Sequence, residues 1–168
     1  KEFTRPTESP INAALDYARK VFLDAGYAVT VQPFTVRRFT LLSPGVLELR
    51  APSPEVIDNT VLFYSGSGDV SALVGMPSAP TGCAAGDFAG FVPGRLALIQ
   101  RGDCSFSDKA HNAAQAGASG VVVFNNVEGP LQGMLYSDFA LPLPVVGITQ
   151  DQGQRLAAGT ALRLVLEP

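Results

Sequence analysis

At 168 residues, with 46% hydrophobic and 16% charged side chains, the chain has the make-up of one globular domain, or one domain with an appendage, able to build its own core. A net charge of −3, with no basic run longer than a pair such as Arg37-Arg38, argues against a general nucleic-acid binder, which needs a basic stripe. No apolar run approaches the about eighteen residues that span a bilayer, and no signal-peptide pattern opens the chain.

The first expected element is a helix. Ser9 is placed to cap it, Pro10 suits its first position, and Ile11, Leu15, Ala18, Phe22 and Ala25 fall on one face before Gly26 stops it. Tyr27, Val29 and Val31 alternate with Ala28, Thr30 and Gln32 as a half-buried strand. From Thr35 to Val74 the pattern is strand and turn, with strands at Val46–Leu49 and Val61–Tyr64 around a turn at Asp58-Asn59. Ser65-Gly66-Ser67-Gly68-Asp69 invites a phosphate-loop reading and fails it, because the third glycine of GxGxxG falls on Ser71 and no helix follows. A turn between strands is the expectation there. Met76 to Pro93 is a long loop holding Cys83 and Asp87-Phe88, and loops of that length are usually functional or tied down.

Gly94 to Asn126 carries the densest local signals. Leu96–Ile99 and Val121–Phe124 have the length of buried strands, and one helix fits between them. Ser105 caps that helix, Asp108 closes a capping box and Gly117 ends it. Its inward face, Phe106, Ala110, Ala113, Ala114 and Gly117, is small enough to sit close on a sheet. Gly129 to Pro144 is a second long connection, either a flap over the core or a binding surface, with Met134, Leu135, Tyr136 and Phe139. Leu143–Ile148 forms the next strand, Thr149 and Gln152 offer another capping box, and Leu162, Leu164 and Leu166 alternate in a last strand. Strand, helix, strand thus occurs twice, favouring parallel neighbours, while the hairpin-rich middle favours antiparallel ones. The expected fold is α+β: a mixed sheet curled into a partly closed barrel with short flanking helices.

Chemistry is sparse. His111 is the only histidine, and Cys104, seven residues earlier, is displaced by roughly 10 Å of helical rise, too far for a Cys/His pair. A solvated or capping role is expected for it. Glu48, Glu55, Asp58, Asp69 and Asp87 stand singly, and no Gly-Xaa-Ser-Xaa-Gly elbow precedes a helix. Neither a catalytic residue nor a metal site is assigned within this chain. Cys83 and Cys104 can close a loop by a disulfide contributing about 3 kcal/mol in the chain-entropy model, which would suit an exported protein. Two free thiols in a reducing compartment are the alternative.

The ordered set Gly-Arg-Leu-Ala-Leu-Ile-Gln-Arg-Gly-Asp-Cys-Ser-Phe from Gly94 to Phe106, then Lys109, Ala-Ala-Gln-Ala-Gly-Ala from Ala113, and Gly-Val-Val-Val-Phe-Asn-Asn from Gly120, resembles the protease-associated domain. The resemblance implies a β-rich domain with short flanking helices. It favours the Cys83–Cys104 bond, because related domains often carry one cysteine before Asp-Phe and another after Arg-Gly-Xaa. The opening from Arg5 to Phe34 is similar to the start of the peptidase domain in secreted aminopeptidases that use two zinc ions. Residues 1–34 are therefore expected to begin a parent peptidase domain, and 35–168 to form the protease-associated domain.

On that resemblance the chain is a non-catalytic part of an exported zinc aminopeptidase, secreted or in the cell envelope, that controls substrate access or binds protein or peptide. Its partners would be the parent peptidase domain and a peptide or protein substrate, with no nucleic acid and no membrane span. Zinc would belong to the catalytic domain, since a zinc site of that kind needs several histidines with Asp and Glu ligands and a general base. The expected contact surface is Arg101, Asp103, Ser105, Phe106, Asn125, Asn126 and Tyr136, unless Arg101 and Asp103 merely pair across a tight turn. The alternative function is a stand-alone peptide-binding or sorting module of an extracytoplasmic receptor.

Overall fold

The computed structural model describes residues 10–35, 38–50, 53–136 and 138–167. The chain divides into two compact units, Lys1–Val36 and Arg37–Pro168.

In the first unit, α1 spans Pro10–Asp24. The expected cap, Ser9, and the side chain of Ile11 lie outside the described residues. The stop is fully described. Gly26 takes φ +85°, its N–H donates to the Leu23 carbonyl at 3.0 Å, and the Tyr27 N–H donates to the Phe22 carbonyl at 3.0 Å. This pair of bonds is a Schellman cap, and an edge-on contact of Phe22 with Tyr27, centroids 6.1 Å apart, supplies its apolar clasp. The expected strand from Tyr27 to Val31 does not form; these residues have no regular structure, and Tyr27 and Val31 are exposed. A strand exists only through a partner's ladder, and β propensity alone supplies none. Leu15 and Phe22, from the apolar face of the helix, are likewise exposed.

The second unit is built on eight strands: β1 (Val46–Leu49), β2 (Glu55–Val56), β3 (Thr60–Val61), β4 (Gly68–Gly75), β5 (Leu96–Gln100), β6 (Gly120–Phe124), β7 (Val145–Ile148) and β8 (Ala161–Leu166). Their order is β2-β1-β8-β4-β5-β6-β7-β3. Strands β4 to β7 run parallel, and the remaining pairs are antiparallel. The two edge strands, β2 and β3, are separated only by Ile57, Asp58 and Asn59, so the backbone itself crosses from one edge of the curled sheet to the other. Asn59 secures the crossing by donating to the carbonyls of Gly45 at 3.0 Å and Ile57 at 3.2 Å. The expected mixed, curled α+β sheet is what the chain forms.

Side chains alternate across each strand, and this splits the core in two. Leu96, Leu98, Val122, Phe124, Val146 and Ile148 join Leu162, Leu164 and Leu166 inside the curl. Ala97, Ile99, Val121, Val123 and Val145 face the other way and are covered by α2 (Phe106–Gln115) and the 129–144 flap, through Ala110, Ala113, Leu131 and Leu135. Strands β5, β6 and β7 are buried on both faces, hence their unbroken apolar runs. Strand β8 has one covered face, hence its strict alternation.

Three expectations shift. The strand at Val61–Tyr64 is shorter: it ends at Val61, Phe63 makes only an isolated bridge to Met134, and Tyr64 turns the chain with φ +64°. Gly68 and Asp69, expected in a turn, already belong to β4. The second strand, helix, strand unit is not a parallel crossover, since β8 pairs antiparallel with β1 and β4. Its helix α3 (Gln150–Arg155) passes over Phe124, and β7 already has β6 and β3 on its two sides, so β8 finds its partners elsewhere.

Candidate functional site

The loops leaving the C-terminal ends of parallel strands are where a sheet of this kind presents side chains. After β5 the chain turns through Gly102 and Asp103, both at positive φ, into Cys104 and then α2. Cys104 is bonded to Cys83, with Cα atoms 5.8 Å apart, fastening the 76–93 loop beside this turn. That loop has one 3-10 turn, Ala85–Phe88. Its strand-side edge is held by the Gln100 N–H, which donates to the Pro80 carbonyl at 2.7 Å.

At the centre of this arrangement lies a motif residue to which the sequence alone assigns no role. Lys109 is fully buried, the largest side chain so enclosed among the described residues. Its Nζ donates to the Thr81 carbonyl at 2.5 Å and the Gly102 carbonyl at 2.7 Å, and stands 3.5 Å from Cys83 Sγ. All three ammonium protons are thereby directed at acceptors. Burial pulls the ammonium below its ordinary pKa, opposed by the carboxylates of Asp103, Asp108 and Asp87. Asn112, one turn on, adds a bond from Nδ2 to the Gly82 carbonyl at 3.2 Å. The inward stripe of α2 therefore does more than pack. The signal was present in the sequence, because Lys109 sits three residues after Phe106 and four before Ala113, on a face otherwise apolar.

The expected contact residues fall into two groups. Arg101, Asn125 and Asn126 come together: Arg101 Nη1 donates to Asn125 Oδ1 at 3.2 Å, and the same oxygen accepts the Asn126 N–H at 3.0 Å. Asn125 is buried, and its Nδ2 donates to the Gly129 carbonyl at 3.1 Å, so it shapes the turn after β6. Arg101 and Asn126 are exposed. Asp103 is exposed at φ +64° and no described ion pair joins it to Arg101, whose guanidinium turns to Asn125 instead.

Ser105, Phe106 and Tyr136 gather at the other side of α2. Ser105 Oγ accepts the Asp108 N–H at 3.1 Å as expected of a cap. The reciprocal half of the box is replaced by a hydroxyl donation from Ser105 to Asp108 Oδ2 at 2.6 Å. Phe106 is half-buried under the flap, and the Tyr136 N–H donates to Ser107 Oγ at 2.6 Å. The Tyr136 ring stays exposed and, with Phe139 and Leu141, faces Ser107, Asp108 and His111 across an open pocket of about 340 Å³. The flap is thus seated by buried Leu131 and Leu135 while Met134 and Tyr136 face outward.

His111 is exposed, 2.9 Å from Gln115 Nε2. Among the described residues, no group of three His, Cys, Asp or Glu side chains stands close enough to hold a metal ion. The one histidine and the scattered carboxylates do not fit a zinc centre. No helix among the described residues is long and apolar enough to cross a membrane.

Comparison with known proteins agrees with this architecture. The family profile described as the PA domain matches residues 67–156. An aminopeptidase of Pseudomonas aeruginosa is 38% identical over 162 residues, covering 84% of this chain and 30% of the relative. The aminopeptidase of Aneurinibacillus sp. strain AM-1 superposes with a TM-score of 0.79 at 33% identity, over 98% of this chain and 40% of that one. A zinc aminopeptidase from Bacillus subtilis superposes with a TM-score of 0.65 at 25% identity, over 93% of this chain and 37% of that one. The match therefore takes up between 30% and 40% of the length of each of these three proteins.

Proposed function

The chain belongs to the PA domain family, and from that premise we propose that it is the accessory, non-catalytic part of an exported zinc aminopeptidase. Its work is to limit or guide access of peptide and protein substrates to a catalytic domain carried elsewhere in the polypeptide, which also holds the zinc. One observation carries the reading: the likeness to the Aneurinibacillus aminopeptidase runs over 98% of this chain yet takes up 40% of that one. An extracytoplasmic location is favoured by the disulfide between Cys83 and Cys104, a bond that persists in oxidising compartments.

Residues 1–34 begin the peptidase domain in this reading, and 35–168 are the PA domain. The exposed Leu15, Val21 and Phe22 of α1 suit a helix whose packing neighbours come from the remainder of such a domain. The peptide-facing surface is the exposed part of the loops after β5 and β6, Arg101, Asp103 and Asn126 over the supporting Asn125, together with Ser105, Phe106 and Tyr136, the last of which lines the pocket beside α2.

The test compares the product of the whole gene with a version in which a Gly/Ser linker replaces residues 35–168. Both should release nitroaniline from aminoacyl substrates, and the ratio of that rate to the rate on a long peptide should differ between them. An unchanged ratio removes the access role. Peptide hydrolysis by the 168-residue chain alone, or a gene encoding a membrane span and tail in place of a peptidase, overturns the reading altogether.

A further inference from the structure

The Cys83–Cys104 bond is electrostatically lopsided. Lys109 Nζ, on a fully buried side chain, lies 3.5 Å from Cys83 Sγ, whereas among the described residues no cation touches Cys104. We propose that the bond is a site of reversible S-thiolation, in which a small-molecule thiol attacks Cys104 and Cys83 leaves as a thiolate facing Lys109.

The step balances without a further reactant. The thiolate of the incoming molecule attacks Cys104 Sγ, a new sulfur–sulfur bond forms between them, and the Cys83–Cys104 bond breaks. Its electron pair stays on Cys83 Sγ, where the Lys109 ammonium already stands, so no proton has to arrive. Exchange runs faster towards the thiol of lower pKa as leaving group, and a neighbouring lysine lowers a thiol's pKa. The Thr81 and Gly102 carbonyl oxygens also approach Cys83 Sγ, at 3.6 and 3.7 Å. They oppose the developing charge only weakly, because each oxygen's partial charge is offset by its own carbon while the ammonium carries a full charge at similar distance. Three carboxylates act on that ammonium: Asp87 from the 3-10 turn, Asp103 from the loop and Asp108 from α2.

Opening does not set the loop free. Lys109 still holds the Thr81 and Gly102 carbonyls, and Asn112 still holds that of Gly82. Cys83 therefore stays beside the mixed disulfide on Cys104 and can expel the small thiol to restore the original bond. Neither Cys83 nor Cys104 is buried, which leaves the bond on the solvent side of the buried lysine.

The experiment exposes the oxidised chain to a glutathione redox buffer, quenches it, alkylates free thiols and maps both cysteines by mass spectrometry after digestion. Glutathione should sit on Cys104 and the alkyl group on Cys83, in about tenfold excess over the reverse arrangement. Equal labelling, or glutathione mainly on Cys83, overturns the proposal. Lys109→Met should abolish the preference. Because that variant loses a buried anchor and can misfold, Cys104→Ser provides an independent reading with the lysine in place. Thiolate ultraviolet absorbance in Cys104→Ser should show Cys83 titrating below the ordinary thiol value of about 8.5, and titration at or above it would also overturn the proposal.

Discussion

Lys109 and Thr81 lie 28 positions apart in the chain, and the ammonium of the first meets the carbonyl of the second at 2.5 Å. This bond and its companion to Gly102 join the helix after β5 to the loops on either side of the disulfide. Hydrogen bonds to a charged group contribute about 1.5–3 kcal/mol each, but burying the ammonium offsets part of that. Lys109→Met should therefore cost about 2–4 kcal/mol, read as a lower urea midpoint at unchanged m-value. The pH dependence has a fixed sign. Because the folded-state pKa of Lys109 lies below its ordinary 10.5, the cost of burying the charge is fully present below the folded value and is relieved as pH rises through it towards 10.5. Relative to Lys109→Met, the native chain should gain stability across that window.

Cys83 and Cys104 close a loop with a sequence separation of 21. Replacing both by serine should lower stability by about 3 kcal/mol, mainly by freeing the unfolded chain. Denaturation of the double variant beside the oxidised protein measures this. A loss well under 1 kcal/mol would mean that the Lys109 tether alone orders the loop.

The flap is seated where Gly133 meets Phe106. A Cβ at position 133 would come within 2.5 Å of Phe106 Cε2, so the ring can stay only if that position has no side chain. Gly133→Ala should cost about 1–3 kcal/mol by overpacking. Adding Phe106→Ala should give a double variant less destabilised than the sum of the two single changes, as expected of residues in contact. Strict additivity by thermal denaturation would show that Gly133 and Phe106 are not coupled and that Leu131 and Leu135 alone seat the flap.

On the open face of the sheet, Arg163 of β8 grips Asp69 of β4 through two bonds, Nε to Oδ1 at 3.0 Å and Nη2 to Oδ2 at 2.8 Å. The hydrogen bond from Arg163 holds the Asp69 carboxyl below its ordinary 3.8. Whatever stability this adds is present above 3.8 and is lost as pH falls through the lowered folded value. Carboxyl NMR titration should find Asp69 below 3.8 in the native chain and higher in Arg163→Gln. An exposed pair of this kind should shift the denaturation midpoint little at neutral pH.

What could be read without coordinates was whatever depends on neighbours a few positions away. Ser105 and Thr149 cap their helices because the N–H groups they accept from, those of Asp108 and Gln152, lie three residues on. Gly26 ends α1 because glycine alone enters the left-handed region without penalty. The apolar run of β5 and the alternation of β8 record two-sided and one-sided burial directly in the order of residues.

Partner choice across long separations was decided only by the tertiary structure. Nothing between Tyr27 and Val31 says that no ladder for a strand will be found among the described residues of its unit. Nothing near β7 says that β8 will cross to β1 and β4, because that depends on β6 and β3 taking both sides of β7. Arg101 is two residues from Asp103 but bonds to Asn125, set beside it by the parallel pairing of β5 and β6. Lys109 shows the division most plainly. Its place on the inward stripe was written in the spacing, but a buried cation is tolerable only beside acceptors, and those came from Thr81 and Gly102, which the folded chain alone brings together.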